Sequence, residues 1–251
     1  MGADAVLALL CLPCAGSSAT MYLRWRRALA SAGIGVVPVE LPGRGARMHE
    51  PFAPDYGTLV QQLTGPCLHA AGGRPFALLG HSMGGLLAYG VARRLQEVGE
   101  VSPVALVVSA CAAPTRRDAV RYAEPLSDER LVADLREQNG TPSGVFSEPE
   151  LLRLTLDVLR ADYRICHGFE RPTGGDLLSC PIHAIAGRAD RIRAPDVDAW
   201  GQETRNVFST DWLDGGHFFI REHEAAFLDT LVRRLSPRRK VSDAALLASP
   251  A

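Results

Sequence analysis

The sequence predicts an α/β fold: a doubly wound, mostly parallel sheet with a helical lid inserted between two of its strands. Three observations predict it. Short, nearly unbroken runs of Val, Leu and Ile recur along the chain, helical patterns separate them, and one interval between two runs is long enough to hold a subdomain. A parallel strand covered by helices on both faces needs such an unbroken apolar run, whereas a half-exposed strand would alternate.

The elements follow in order. Residues 6–12 form the first candidate strand and 19–31 the first helical pattern. Strand 35–40 and helix 56–71 come next, then strand 76–80, helix 85–98 and strand 104–110. There the alternation stops. Residues 116–125 are polar and Arg-rich, and two helical patterns, 128–138 and 148–165, are joined by Asn139-Gly140-Thr141-Pro142-Ser143-Gly144. Insertions of this size in a compact sheet are usually functional lids. Strand 182–186, helix 196–204, strand 207–213 and helix 222–235 then restore the pattern. Residues 1–235 are therefore expected to form one domain, with the lid at about 116–174. A flexible tail is expected at 236–251, where Pro237-Arg238-Arg239-Lys240 leads into small residues.

Composition excludes several functions. Of 251 residues, 47% are hydrophobic, enough for a large core and too many for a disordered chain. Lys and Arg number 27 against 28 Asp and Glu, so a net charge of −1 gives no basic footprint for nucleic acid. No apolar run reaches the length that spans a bilayer. The start Met1-Gly2-Ala3-Asp4 is acidic where a secretory signal is basic, so neither export nor membrane residence is expected. A cytoplasmic setting makes the six cysteines reduced, small, buried hydrophobes. Cys11-x-x-Cys14 lacks a second Cys pair or a nearby His pair, which argues against a metal site.

Chemistry concentrates at Gly80-His81-Ser82-Met83-Gly84-Gly85, between a strand and a helix. This strand–turn–helix setting with glycines two residues either side of Ser82 is the arrangement of a nucleophile elbow. A serine alcohol needs a base and a group to orient that base. His217, in Gly215-Gly216-His217 after the last strand, is the candidate base. His81 adjoins the nucleophile, His183 lies within a strand, and His223 is expected inside the final helix. Asp190, directly after strand 182–186, is the candidate orienter. Asp196 and Asp198 compete with it, but their place at a helix start suits routine capping. The order Ser82, Asp190, His217 is that of α/β-hydrolases. An oxyanion hole needs two amide donors. Met83 is expected to supply one, and Ala15, in the loop after the first strand, the other, with Cys14 second in line.

Taken together, these features resemble the stand-alone type II thioesterases of polyketide and nonribosomal peptide synthesis, relatives of the medium-chain acyl thioesterases of fatty acid synthesis. The likeness runs from about Leu9 to Leu235. It rests on an ordered set: Leu12-Pro13-x-Ala15-Gly16, Leu41-Pro42-Gly43-Arg44-Gly45, Gly80-His81-Ser82-Met83-Gly84-Gly85, Gly140-Thr141-Pro142, Leu159-Arg160-Ala161-Asp162-Tyr163, Cys180-Pro181-Ile182, Asp190, Ala199-Trp200 and Gly215-Gly216-His217-Phe218-Phe219. It implies an α/β-hydrolase fold, a catalytic Ser82, Asp190 and His217, and a lid at about 116–174. It also implies hydrolysis of acyl groups from the phosphopantetheine thioester of an acyl or peptidyl carrier protein, releasing stalled or aberrant units. No cofactor or metal, no nucleic acid and no membrane are implied, and a monomer is the default. Cys14 stands where the family commonly has His or Phe, and Gly16-Ser17 where it has Gly-Gly, which leaves acyl preference open. A carboxylesterase or lipase-type hydrolase of free esters or acyl-CoA, and a non-catalytic acyl-binding module, are the alternatives.

Overall fold

A computed structural model describes residues 6–99, 101–118, 120–138, 140–171, 174 and 176–236. The chain runs β1 (Leu7–Leu12), α1 (Trp25–Ala30), β2 (Ile34–Pro38), α2 (Tyr56–Ala71), β3 (Phe76–His81), α3 (Met83–Glu97) and β4 (Ala105–Ser109). The inserted lid holds α4 (Asp128–Gln138), α5 (Ser143–Ser147) and α6 (Pro149–His167). The chain then completes β5 (Ile182–Gly187), α7 (Ala194–Asp198), β6 (Phe208–Leu213), α8 (Phe219–Glu222) and α9 (Glu224–Leu235). Six strands lie in the order β2-β1-β3-β4-β5-β6, and every pairing among them is parallel. This is the expected α/β fold.

Alternate residues of each strand serve opposite cores. In β1, Ala8, Leu10 and Leu12 pack with Leu63 of α2 and Leu87 of α3. Leu7, Leu9 and Cys11 pack on the other face with Trp25 of α1 and Phe227 and Leu231 of α9. Both faces are buried, which is why the strand reads as continuous apolar sequence rather than alternation. Burial of a side chain such as Leu9, fully enclosed, contributes roughly 1.5–3 kcal/mol.

The chain leaves β1 for β2 on one side of it and returns to β3 on the other. Connections diverge there, which opens a crevice beyond the carboxyl ends of β1 and β3, where α/β sheets bind ligands. Leu131, Leu135, Leu156, Leu159 and Tyr163 form a separate core under the lid. It covers that crevice.

Local structure differs from expectation in four places. Expected helix 19–31 is a 3-10 turn, Ala19–Tyr22, capped by the Ser18 hydroxyl, followed by the short α1. Residues 196–204 divide into α7 and a 3-10 turn. The final helix breaks at His223, whose non-helical backbone (φ −123°, ψ 44°) separates α8 from α9, so His223 sits at a junction rather than inside a helix. The lid connection, described from Gly140 onward, ends in α5, which begins after Pro142. The expected tail lies outside the described residues apart from Ser236. No described helix is long and apolar enough to cross a membrane.

Candidate active site

The turn between β3 and α3 is steric necessity made visible. Ser82 has φ 54°, in the left-handed region that a side chain tolerates only under constraint. A Cβ at Gly80 would lie 1.9 Å from the Gly84 carbonyl oxygen, and one at Gly84 would lie 2.2 Å from that of Leu12. Neither position admits a side chain, and the two glycines let the elbow press against β1. The Ser82 amide donates to the Ser109 carbonyl (2.7 Å), fixing the turn against β4. Ser82 thus stands at the amino end of α3, whose dipole favours negative charge there.

His217 and Asp190 reach this point from separate loops. Oγ of Ser82 is 3.0 Å from Nε2 of His217, and Nδ1 of His217 is 2.9 Å from Oδ2 of Asp190. The tautomer protonated on Nδ1 satisfies both contacts: the imidazole donates to the carboxylate and accepts from the hydroxyl. Two backbone bonds join the loops, Arg188 N–H to Leu213 C=O (2.8 Å) and Ala189 N–H to Gly215 C=O (3.0 Å). Gly187 permits this approach, because a Cβ there would meet the Gly216 carbonyl at 2.5 Å. Burial opposes the charge on Asp190. The His217 hydrogen bond and charge, with the amides of Arg191 and Ile192, outweigh it and hold the carboxyl below its usual range. It stays ionised at neutral pH. Asp196 instead pairs with Arg193 at the start of α7.

His81, beside the nucleophile, is fully buried, and its Nδ1 lies 3.0 Å from the Ser109 hydroxyl. Its ring centroid is 5.3 Å from that of His217. Burial, then the proximity of His217 and Arg221, pushes its pKa well below the ordinary imidazole value, so it adds no charge next to His217. Neutrality at position 81 was not legible in sequence, because it follows from enclosure.

A cavity of about 360 Å³ opens above Ser82. Cys14, Ala15 and Met83 form its core side, and Arg117, Tyr122 and Tyr163 belong to its lid side. Ala15 and Met83, the expected amide donors, therefore both border the space next to the serine. Cys14 also borders it, 2% exposed, with burial raising its thiol pKa. Burial pushes Cys111 and the lid's Cys166, which also line the cavity, up to about 12. These thiols are protonated at neutral pH and poor nucleophiles. Cys11 belongs to the opposite core, so Cys11 and Cys14 do not converge.

The lid is tied down at three places that sequence reasoning missed. Arg191 of the Asp190 loop pairs with Glu137 of α4. Arg221 donates to the Gly140 carbonyl, and a Cβ at Gly140 would sit 2.3 Å from the Phe218 ring, next to His217. Arg44 and Asp162 form a buried pair, 2.6 Å at both contacts, between the core and α6. Arg44-containing and Asp162-containing motifs were visible in the sequence, but no local pattern joins them.

Fold and site together define an α/β-hydrolase. The chain belongs to the thioesterase domain family, which matches residues 8–237, and it is a thioester hydrolase. Gramicidin S biosynthesis protein GrsT of Aneurinibacillus migulanus is 32% identical over 92% of this chain and 90% of its own length. The solved structure of the type II thioesterase BorB from the borrelidin biosynthetic cluster is 40% identical, covers 91% of this chain and 92% of BorB, and superposes with a TM-score of 0.79. RedJ, a thioesterase from the prodiginine pathway of Streptomyces coelicolor, is 32% identical over 93% of this chain and 92% of its own, with a TM-score of 0.84.

Proposed function

We propose that this enzyme hydrolyses acyl groups from the phosphopantetheine thioester of acyl or peptidyl carrier proteins, clearing stalled or aberrant units from a polyketide or nonribosomal peptide assembly line. The observation that carries it is the hydrogen-bonded chain from Ser82 through His217 to Asp190 beneath a lidded cavity. Its setting is a chain that matches BorB and GrsT over almost all of both lengths.

The chemistry follows from the atoms. Oγ of Ser82 attacks the thioester carbonyl carbon while its proton passes to Nε2 of His217. Amides of Met83 and Ala15 hold the resulting oxyanion, the kind of contact worth about 10²–10³ in rate. The C–S bond then breaks and Nε2 returns the proton to the departing sulfur. A water, deprotonated at Nε2, attacks the acyl-serine carbonyl, and collapse releases the carboxylic acid and restores the Ser82 hydroxyl. Asp190 remains a carboxylate throughout, fixing the imidazole tautomer and balancing the imidazolium.

The cavity's lid side carries Arg116, Arg117 and Arg121, none with a carboxylate at ion-pair distance among the described residues. Guanidiniums with no carboxylate partner suit the phosphodiester of a phosphopantetheine arm. A cavity of this size, with lining as polar as it is apolar, suits short acyl units better than long alkyl chains. All groups of the site come from one chain, so a monomer suffices. We read residues 1–235 as one hydrolase unit with its lid at about 116–174. The six cysteines are free and buried, in keeping with a reducing, cytoplasmic compartment.

The test compares an acetyl-carrier protein, acetyl-pantetheine and p-nitrophenyl acetate as substrates. Preference for the carrier-bound thioester supports the proposal. Faster turnover of the free ester than of either thioester would instead make the enzyme a carboxylesterase.

A further inference from the structure

The lid helix α6 hydrogen-bonds the loop after β1 through the Asp162 carboxylate. Oδ2 of Asp162 accepts the Gly16 amide proton at 2.8 Å and the Arg44 Nη1 proton at 2.6 Å, while Oδ1 accepts from Arg44 Nη2 at 2.6 Å. Arg44 Nη1 also donates to the Ser17 carbonyl at 3.2 Å. Gly16 and Ser17 follow Ala15 directly, and Ala15 borders the cavity beside Ser82. One turn earlier on α6, Leu159 presses on the same loop: a Cβ at Gly16 would lie 3.2 Å from its Cδ1. Leu159 and Asp162, three residues apart, share a helix face, and both address Gly16.

Both charges are almost wholly enclosed, Arg44 at 7% and Asp162 at 1% exposure, and Arg44 Nε has no partner among the described residues. Taking such a pair out of water offsets most of its attraction, and apolar replacements of similar volume are often no less stable. Stability alone is a poor reason for the arrangement. What it supplies is direction, since a carboxylate fixed by a bidentate guanidinium holds one particular amide in one place.

We propose that Asp162 is a positioning residue of the reaction. From the lid it holds the Gly16 amide, and through it the Ala15 amide, where the oxyanion forms. The hole is then complete only when α6 is seated, which couples lid closure to catalytic competence. This rests on the serine mechanism given above, and on no particular substrate.

Two variants test it. Asp162→Asn is isosteric, but its NH2 must face Arg44 in either orientation, at Nη2 alone or at Nη1 together with the Gly16 amide. The double variant Arg44→Met with Asp162→Leu removes both charges and leaves neither buried alone. Each is assayed on acetyl-carrier protein and on p-nitrophenyl acetate, with affinity measured for an alkylboronic acid, which forms a tetrahedral adduct on the serine, and for a non-cleavable thioether analogue. The expected result is a kcat lower by about 3–10-fold for Asp162→Asn and about 10–100-fold for the double variant, short of the roughly 10²–10³ that removing one oxyanion donor outright would cost. Boronate affinity should weaken in step, with KM and thioether affinity within about twofold of wild type. A folded double variant with wild-type kcat and boronate affinity would overturn the proposal, as would a loss confined to KM and thioether binding. Should the double variant not fold, Asp162→Asn decides by the same split. Wild-type cleavage of the ester but not of the carrier thioester would remove the carrier assignment and leave the Asp162 comparison intact.

Discussion

Nε2 of His217 stands 3.0 Å from Oγ of Ser82, 135 positions earlier in the sequence. An alcohol with no base is a weak nucleophile at neutral pH, so in the proposed mechanism this contact is what makes the serine usable. Ser82→Ala should lower kcat/KM on any acyl substrate by about 10⁴-fold or more while leaving the circular dichroism spectrum unchanged. A fluorophosphonate should label the wild type and not the variant. Persistent turnover in Ser82→Ala would move the chemistry to another residue.

Asp190→Asn isolates the orienting role. The amide matches the carboxylate in shape, but it can turn an NH2 toward Nδ1 and stabilise the tautomer whose Nε2 carries the proton. Such an imidazole cannot accept from Ser82. A loss of about 10³–10⁴ in kcat at neutral pH is expected, with KM little changed. Steady-state kinetics of the purified variant measure it, and a loss under tenfold would show that Asp190 does not set the tautomer.

The sheet was legible because its strands are buried on both faces: an apolar run such as Leu7–Leu12 has almost no other explanation in a chain of this composition. That Ser82, Asp190 and His217 meet was legible because turn geometry forces glycine around the first and chain order constrains the others. What stayed hidden depends on contacts between distant segments. Arg44 and Asp162 are 118 residues apart, and neither carries a local mark of the other. The break at His223 is equally silent, because the apolar spacing of α9 continues through it into α8.

Gly84→Ala should be among the most damaging small substitutions in the chain. Its new methyl would sit 2.2 Å from the Leu12 carbonyl oxygen and 2.7 Å from that of Pro13, both backbone atoms that cannot rotate aside. Either β1 or the elbow must move. A loss of more than about 3 kcal/mol is expected, visible as poor soluble yield or a sharply lower Tm. A Tm close to wild type would mean that the contact between elbow and β1 is far looser than these distances require.

Arg116 borders the cavity, is exposed, and has no side-chain partner among the described residues. Its removal should leave the fold alone. If it meets the phosphodiester of the arm, Arg116→Ala should raise KM for an acetyl-carrier protein about 3–10-fold, the range of one charge-assisted hydrogen bond in a wet site, with kcat retained. Hydrolysis of p-nitrophenyl acetate, which has no phosphate, should not change. Equal effects on both substrates would place Arg116 away from the arm.

Acid should destabilise this protein earlier than its carboxylates alone would allow. His81 and His183 are both held below the ordinary imidazole value, His81 well below it, and in each case burial is the main cause. An unfolded imidazole titrates near 6.5, so below that pH the unfolded chain binds protons that the folded chain refuses. Stability therefore falls as pH drops from about 6.5, by up to roughly 1.4 kcal/mol per pH unit for each such histidine. Asp190 and Asp211 act in another window. Their carboxyls are lowered, so the stability they add is fully present above about pH 4 and is lost only as pH falls through their folded values. Between pH 5 and 6.5 the carboxylates are silent and the histidines dominate. Replacing His81 with Gln, which keeps a polar partner for the Ser109 hydroxyl, should reduce the slope of unfolding free energy against pH in that window by about one proton's worth. Urea titrations of both proteins at several pH values measure it. Parallel slopes would mean that His81 is protonated in the folded enzyme, and that a second positive charge stands beside the His217 imidazolium whenever that base takes up its proton.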